Sequence, residues 1–203
     1  AAPSANRFGR VTPTTALHVL IGLGPGLLVL DGGACDLGIE STIIDCTRGA
    51  PVLLRPGSIS RTQVEQACGR KLLSKEELLE QETRGLEAPK ASGTLESHYA
   101  PNATVRLMDA KALQTALKML DGAIDSVARP SIAVYARTLL KNVPRNIVLR
   151  NMPQYAAPTA HELFSVLREL DATGVKLIWV ETPPDTQDWE GVRDRLQRAS
   201  APT

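Results

Sequence analysis

From Thr104 to the C-terminus, short apolar runs alternate with segments whose apolar residues recur at helical spacing. That alternation constrains the fold more than any other feature of the chain, because strand–helix–strand order favours a parallel sheet covered by helices. Thr104–Met108, Ser131–Tyr135, Asn146–Arg150 and Val175–Val180 read as strands, and Ala110–Leu120 as a helix between the first two. Thr159-Ala160-His161-Glu162 reads as a capping box opening a second helix, with Leu163, Val166, Leu167 and Leu170 on one face and Gly174 as its stop. Trp189, Val192, Leu196 and Ala199 mark a last helix.

The first third also mixes elements. Pro13–Leu23 reads as a helix with Thr12 as its cap. Leu27–Leu30, closed by Asp31-Gly32-Gly33, reads as a buried strand and turn. Thr42–Cys46 and Pro51–Arg55 flank Arg48-Gly49-Ala50 and predict a hairpin. Ser60-Arg61-Thr62-Gln63 is a capping box for a further helix, which Gly69 ends. Residues 83–101 are polar, aperiodic and punctuated by Gly and Pro, the signature of a linker. The expected organisation is thus residues 1–82, a linker over 83–101, and a small α/β unit over 102–203.

Aromatic residues make up only 3% of the chain, so the core must be aliphatic. The net charge of +1 and the absence of a long basic block advertise no nucleic-acid surface. No apolar run is long enough to span a bilayer and no signal-peptide pattern is present, so a cytoplasmic protein without membrane contact is expected. Cys35, Cys46 and Cys68 match no zinc spacing and read as buried or half-buried free thiols. No metal site is expected.

Small hydroxyl residues, glycines and one arginine recur at the ends of short apolar runs: Ser4-Ala5-Asn6, Asp31-Gly32-Gly33, Gly38-Ile39-Glu40-Ser41-Thr42 and Leu54-Arg55-Pro56-Gly57. Such groups present backbone donors and a fixed cation to a phosphorylated ligand. Taken singly, each has a plainer explanation: Ser4 and Asn6 as turn formers, Glu40 as a structural carboxylate, Arg55 as a surface charge, His98 as a solvated loop residue. His18 and His161 fall in helices and read as structural. Asp171 and Asp194 read as surface or helix-end charges.

These segments, with Ala2 through Thr14, Ser97-His98-Tyr99-Ala100-Pro101, Leu167–Asp171 and Asp194–Ala199, resemble the threonylcarbamoyl-AMP synthase family in its two-domain form. The resemblance implies an α/β fold in which part of a YrdC-like synthase domain precedes a small Rossmann-like domain. It implies a nucleotidyltransferase that converts L-threonine, bicarbonate and ATP, with Mg²⁺, into threonylcarbamoyl-AMP and pyrophosphate. The product would supply threonylcarbamoyladenosine in tRNA through downstream transfer machinery. By the same resemblance Ser4, Asn6, Thr12, Arg55, His98 and Tyr99 face ATP, and Ala2 and Ser41 face threonine. No catalytic residue is assigned. The family's basic N-terminal portion, which would act as a partner to this chain, has no counterpart in the sequence, and little activity is expected from residues 1–203 alone. The alternative is a nucleotide- or double-stranded-RNA-binding module without catalysis, which steeply salt-dependent RNA binding would favour.

Overall fold

A computed structural model describes residues 5–74, 77–78, 98–120 and 131–202. Its centre is a four-stranded, wholly parallel sheet of β3 (Thr104–Met108), β4 (Ile132–Ala136), β5 (Ile147–Asn151) and β6 (Leu177–Glu181), ordered β3-β6-β4-β5. The inner strands β4 and β6 are covered on both faces and are apolar almost throughout, while the edge strands β3 and β5 keep exposed positions such as Thr104, Arg106 and Arg150. Side chains alternate between the faces with period two. Val105, Ala133, Tyr135, Ile178 and Val180 pack on one side with α4 (Ala156–Ala172) and α5 (Glu190–Ser200). Ile132, Val134, Ala136 and Trp179 pack on the other with Leu113 and Leu117 of α3 (Ala110–Leu120). The predicted strands and α3 are therefore present, within a residue or two of their expected ends.

The N-terminal third adds α1 (Ala16–Leu23), a hairpin of β1 (Ile43–Arg48) and β2 (Ala50–Arg55), and α2 (Arg61–Cys68). The hairpin turns at Gly49 with φ 77°. Ser60 and Gln63 form the expected capping box on α2, and Gly69 ends that helix in the left-handed region. Val11 and Ile39 reach into the core beneath the parallel sheet, so the two halves share one apolar cluster. Among the described residues no helix is long and apolar enough to cross a membrane.

Four expectations are corrected. Helix α1 begins at Ala16, not Pro13, and its cap is Thr15, whose hydroxyl accepts from His18 N at 3.2 Å. Two Thr-X pairs competed for the cap, and the Thr12 hydroxyl is spent on Glu40 instead. Leu27–Leu30 is no strand: it pairs with no described residue, and Leu28 and Leu30 are 87% and 89% exposed. Apolarity alone cannot make a strand without a ladder partner. The turn after it does form, with Gly33 N donating to Asp31 Oδ1 at 2.9 Å. Thr159 is not a cap, because α4 starts three residues earlier. Pro158 sits in the first turn, where its missing N–H has no helical acceptor to lose, and the buried Thr159 hydroxyl donates back to Tyr155 O at 3.0 Å. Finally, all three cysteines are free and exposed rather than buried. Cys46 lies on a two-stranded ribbon and Cys68 on a short helix without a buried residue, neither of which covers both faces. The expected linker falls largely on residues 83–97, outside the described residues.

Candidate functional site

The segment Gly38–Thr42 is held in place by glycine contacts. A Cβ on Gly38 would lie 2.0 Å from His161 O of α4, and one on Gly57 would lie 2.4 Å from Thr42 N. A Cβ on Gly191, in α5, would meet Ile39 Cδ1 at 2.8 Å. At Gly38 and Gly57 backbone therefore approaches backbone too closely for any side chain, and Ile39, packed against Gly191, is held in the core at 6% exposure.

This clamp lays Ser41 beside the end of β2. Arg55 is buried, and its Nε and Nη2 donate to Ser41 O at 3.1 and 2.9 Å, with Nη2 also 3.4 Å from Ser41 Oγ. Thr42 Oγ1 and Ile59 exchange hydrogen bonds at 2.6 and 3.2 Å, which closes the Pro56–Ile59 turn over the same segment. Arg55 and Ser41, expected on separate substrates, are thus brought together. A cavity of about 340 Å³ lies beside Pro56, Gly57 and Ile39.

Glu40 does structural work at this point. Its Oε1 accepts from Thr12 Oγ1 at 2.7 Å and its Oε2 from Arg195 Nε at 2.9 Å. Burial opposes its ionisation, but the Arg195 charge and the hydrogen bonds outweigh burial and hold the carboxyl below the usual carboxylate value.

His98 and Tyr99 complete the cluster. Their rings meet edge to face with centroids 4.1 Å apart, and Tyr99 rests on Phe164 at 5.2 Å. Tyr99 is fully buried at φ 64°, a backbone conformation that few non-glycine residues adopt. His98 N donates to Arg198 O at 3.2 Å. Two buried atoms here have no hydrogen-bond partner among the described residues, His98 Nδ1 and Tyr99 OH. Groups left so are expensive, and they recur where a ligand completes a site. Burial lowers the His98 pKa, Glu40 raises it, and Arg198, Arg195 and Arg55 lower it further, so the imidazole is held neutral. Burial raises the Tyr99 pKa, with Arg195 opposing.

Two expected residues lie elsewhere. Asn6 donates to Arg7 O at 3.1 Å and lines a separate groove with Arg10, His18, Asn102 and Arg168. Thr12 faces a cleft bounded by Leu27–Gly33. Ala2 and Ser4 lie outside the described residues. His18 closes the start of α1, where its Nδ1 accepts from Thr14 N at 3.2 Å, and His161 Nδ1 meets Asp36 O at 2.9 Å.

Arg195 was missed. Its side chain is fully inaccessible and makes bonds to Glu40, Pro56 and Asp194, with its guanidinium 5.4 Å over the Tyr99 ring. The signal was present: Val192, Arg195, Leu196 and Ala199 form one apolar stripe, and a charge on such a stripe must find partners inside. Asp194 is corrected with it, whereas Asp171 is the helix-end charge expected, in the last turn of α4. Asp194 is 14% exposed and bridges Arg195 and Arg198, both at 2.8 Å. Asp171 accepts from Ala103 N and Asn102 Nδ2, both at 2.8 Å, and so ties the end of α4 to the segment entering β3.

Residues 59–201 match the family profile of the threonylcarbamoyl-AMP synthase C-terminal domain, and residues 1–57 match a second profile, Sua5_yciO_yrdC, described as telomere recombination. Threonylcarbamoyl-AMP synthases of Bacillus subtilis and Pyrococcus abyssi are each 31% identical over 98% of this chain, and that of Schizosaccharomyces pombe is 30% identical over 99%. The chain spans 56%, 57% and 52% of those three relatives. The crystal structure of P. abyssi Sua5 complexed with L-threonine is similar at a TM-score of 0.77 and 28% identity, over 98% of this chain and 57% of that one. A P. abyssi Sua5 variant with one histidine and one tyrosine replaced by alanine is similar at a TM-score of 0.74 and 28% identity, over 98% of this chain and 56% of that one. With a family profile covering most of its length and an α/β fold shared with Sua5, the chain belongs to the threonylcarbamoyl-AMP synthase family.

Proposed function

We propose that this chain contributes ATP- and threonine-facing residues of a threonylcarbamoyl-AMP synthase. The threonine amine and bicarbonate combine into a carbamate with loss of water. A carbamate oxygen then attacks the α-phosphorus of ATP and pyrophosphate leaves. The product would feed threonylcarbamoyladenosine formation in tRNA. Mg²⁺ belongs to the substrate, carried on the nucleotide phosphates; among the described residues no His/Cys/Asp/Glu cluster suits an ion.

The observation that carries this reading is the buried Arg55 at Ser41, near a His98–Tyr99 pair with unpartnered polar atoms. Arg55 places a fixed guanidinium charge, anchored on Ser41 O, where phosphate oxygens can be neutralised at a site already shielded from water. Ser41 Oγ, on an exposed residue beside it, is the group for threonine. Neutral His98 and the Tyr99 hydroxyl give the nucleotide two hydrogen-bonding atoms that have no partner among the described residues. By the family resemblance alone, Ser4 and Asn6 are assigned to the nucleotide and Ala2 to threonine, and Thr12 acts through Glu40. Catalysis is then positioning and charge neutralisation rather than covalent chemistry.

The test is calorimetric titration of the chain with MgATP and with L-threonine. Arg55→Ala is expected to weaken ATP binding by roughly ten- to a hundredfold, the worth of a charge-assisted phosphate contact of about 1.5–3 kcal/mol. Unchanged ATP affinity in a folded Arg55→Ala protein overturns the assignment.

A further inference from the structure

We infer that Arg195 is a positioning residue for the proposed ATP and threonine site, and that through it α5 sets the geometry of that site. The inference rests on the functional reading above and deepens it.

The argument is one of connectivity. Arg195 Nη1 donates to Pro56 O at 2.6 Å, the carbonyl that directly follows Arg55. Its Nη2 reaches Glu40 O at 3.3 Å, the carbonyl that directly precedes Ser41. One guanidinium thus grips the backbone beside each partner of the Arg55–Ser41 pair. Its Nε takes the Glu40 carboxylate, whose other oxygen holds Thr12. Its plane lies over Tyr99, next to His98. Three segments far apart in sequence, around Glu40–Ser41, Arg55–Pro56 and His98–Tyr99, are in direct contact with this side chain, and a fourth, around Thr12, is reached through Glu40. Asp194 accepts from the same Nη1 at 2.8 Å and also binds Arg198, so the cation is held from its own helix as well.

Only arginine can do this. The fork presents five donors in fixed directions and a flat face, whereas a lysine ammonium is one point with no plane to stack. A buried cation gripped by a carboxylate and two carbonyls has little freedom to shift, so the spacing of Ser41 and Arg55 follows the position of α5. Arg195 touches neither substrate in this reading; it acts by fixing the groups that do.

Two variants of the chain separate positioning from mere stability. Arg195→Lys keeps the charge beside Glu40 and loses the fork. Arg137→Lys is the control: it alters another largely buried ion pair, Arg137–Glu181 at 3.0 Å, between the residue that follows β4 and the last residue of β6. The ligand-free readout is the NMR signal of Arg55 Nε–H and its exchange with solvent. The ligand readout is MgATP affinity by calorimetry. Arg195→Lys is expected to speed Arg55 Nε–H exchange and to weaken ATP binding, each by about tenfold, as for coupled members of one buried network. Arg137→Lys is expected to leave both within about twofold, because its partners are Glu181 and the Trp189 ring and none of the segments that Arg195 grips. Glu40→Gln gives a second probe if Arg195→Lys does not fold, with the same direction of change and a smaller size. Exchange at Arg55 that is unaltered in Arg195→Lys, or altered equally in Arg137→Lys, overturns the proposal. Failure of the unmodified chain to bind ATP, with Arg55 exchange still responding to Arg195→Lys, removes the functional reading and leaves the control of the Ser41–Arg55 geometry standing.

Discussion

Gly38→Ala is the most informative single change in this fold. The new methyl would sit 2.0 Å from His161 O and 2.2 Å from Ala160 O, where ordinary contact begins at 3.4 Å. Both atoms are backbone of α4, whose buried face carries Leu163, Phe164 and Leu167, so the helix cannot retreat without opening the core. The Gly38 segment must move instead, and Ile39 and Glu40 move with it. Overpacking of this kind costs about 1–3 kcal/mol. Partial loss of Ile39 burial adds roughly another 1 kcal/mol, so a total of about 3 kcal/mol is expected. For a chain of this size that lowers Tm by about 6–12 °C. Thermal unfolding followed by circular dichroism measures it. Gly26→Ala is the control, since nothing lies within 4 Å of its added Cβ and its φ is not left-handed. That variant should be neutral or slightly stabilised, within about 1 kcal/mol, because alanine restricts the unfolded chain. A Gly38→Ala protein within about 2 °C of the parent Tm refutes the clamp, since the predicted shift is several times larger.

Ser60→Ala removes the reciprocal cap on α2 and should cost about 1 kcal/mol in urea unfolding; no change in midpoint would show that α2 does not need its box. Stability should also fall in two steps as pH drops. His98 and His18 both fold with pKa values lowered from 6.5, chiefly by burial, so their contribution is full above that value and is lost as pH falls through the lower folded values. Glu40, lowered from 4.5, holds its contribution above that pH and loses it as pH falls through its own folded value. A Tm series from pH 8 to pH 3 checks both, and a flat profile down to pH 5 excludes the histidine step.

The parallel half was legible because its signals are local. The inner strands β4 and β6, covered on both faces, must be apolar, and α3, α4 and α5 carry their buried residues at helical spacing. Where signals competed locally, the sequence misled. Thr12-Pro13 and Thr15-Ala16 are equally good helix starts by composition, and only the long-range Thr12–Glu40 bond decides between them. Leu27–Leu30 has the composition of a strand, but a strand is a relation between two segments, and its four residues carry no information about a partner.

The candidate site divides the same way. Arg55, Ser41, His98 and Tyr99 could be named because they lie in short contiguous strings, and the fold gathers them. What holds them could not be named, because it is built from pairs separated by more than a hundred positions: Arg195 with Glu40, Arg195 with Pro56, Arg168 with the carbonyls of Val11 and Thr12. A buried charge is tolerated only when its partners are complete, so each of these pairs implies the others. Glu40 balances Arg195, Arg195 needs Asp194 and two carbonyls, and those carbonyls flank Ser41 and Arg55. Weakening any one member therefore strands charges that the rest were arranged to satisfy. It follows that a substitution on the buried face of α5 can reach the proposed phosphate-binding arginine without touching it.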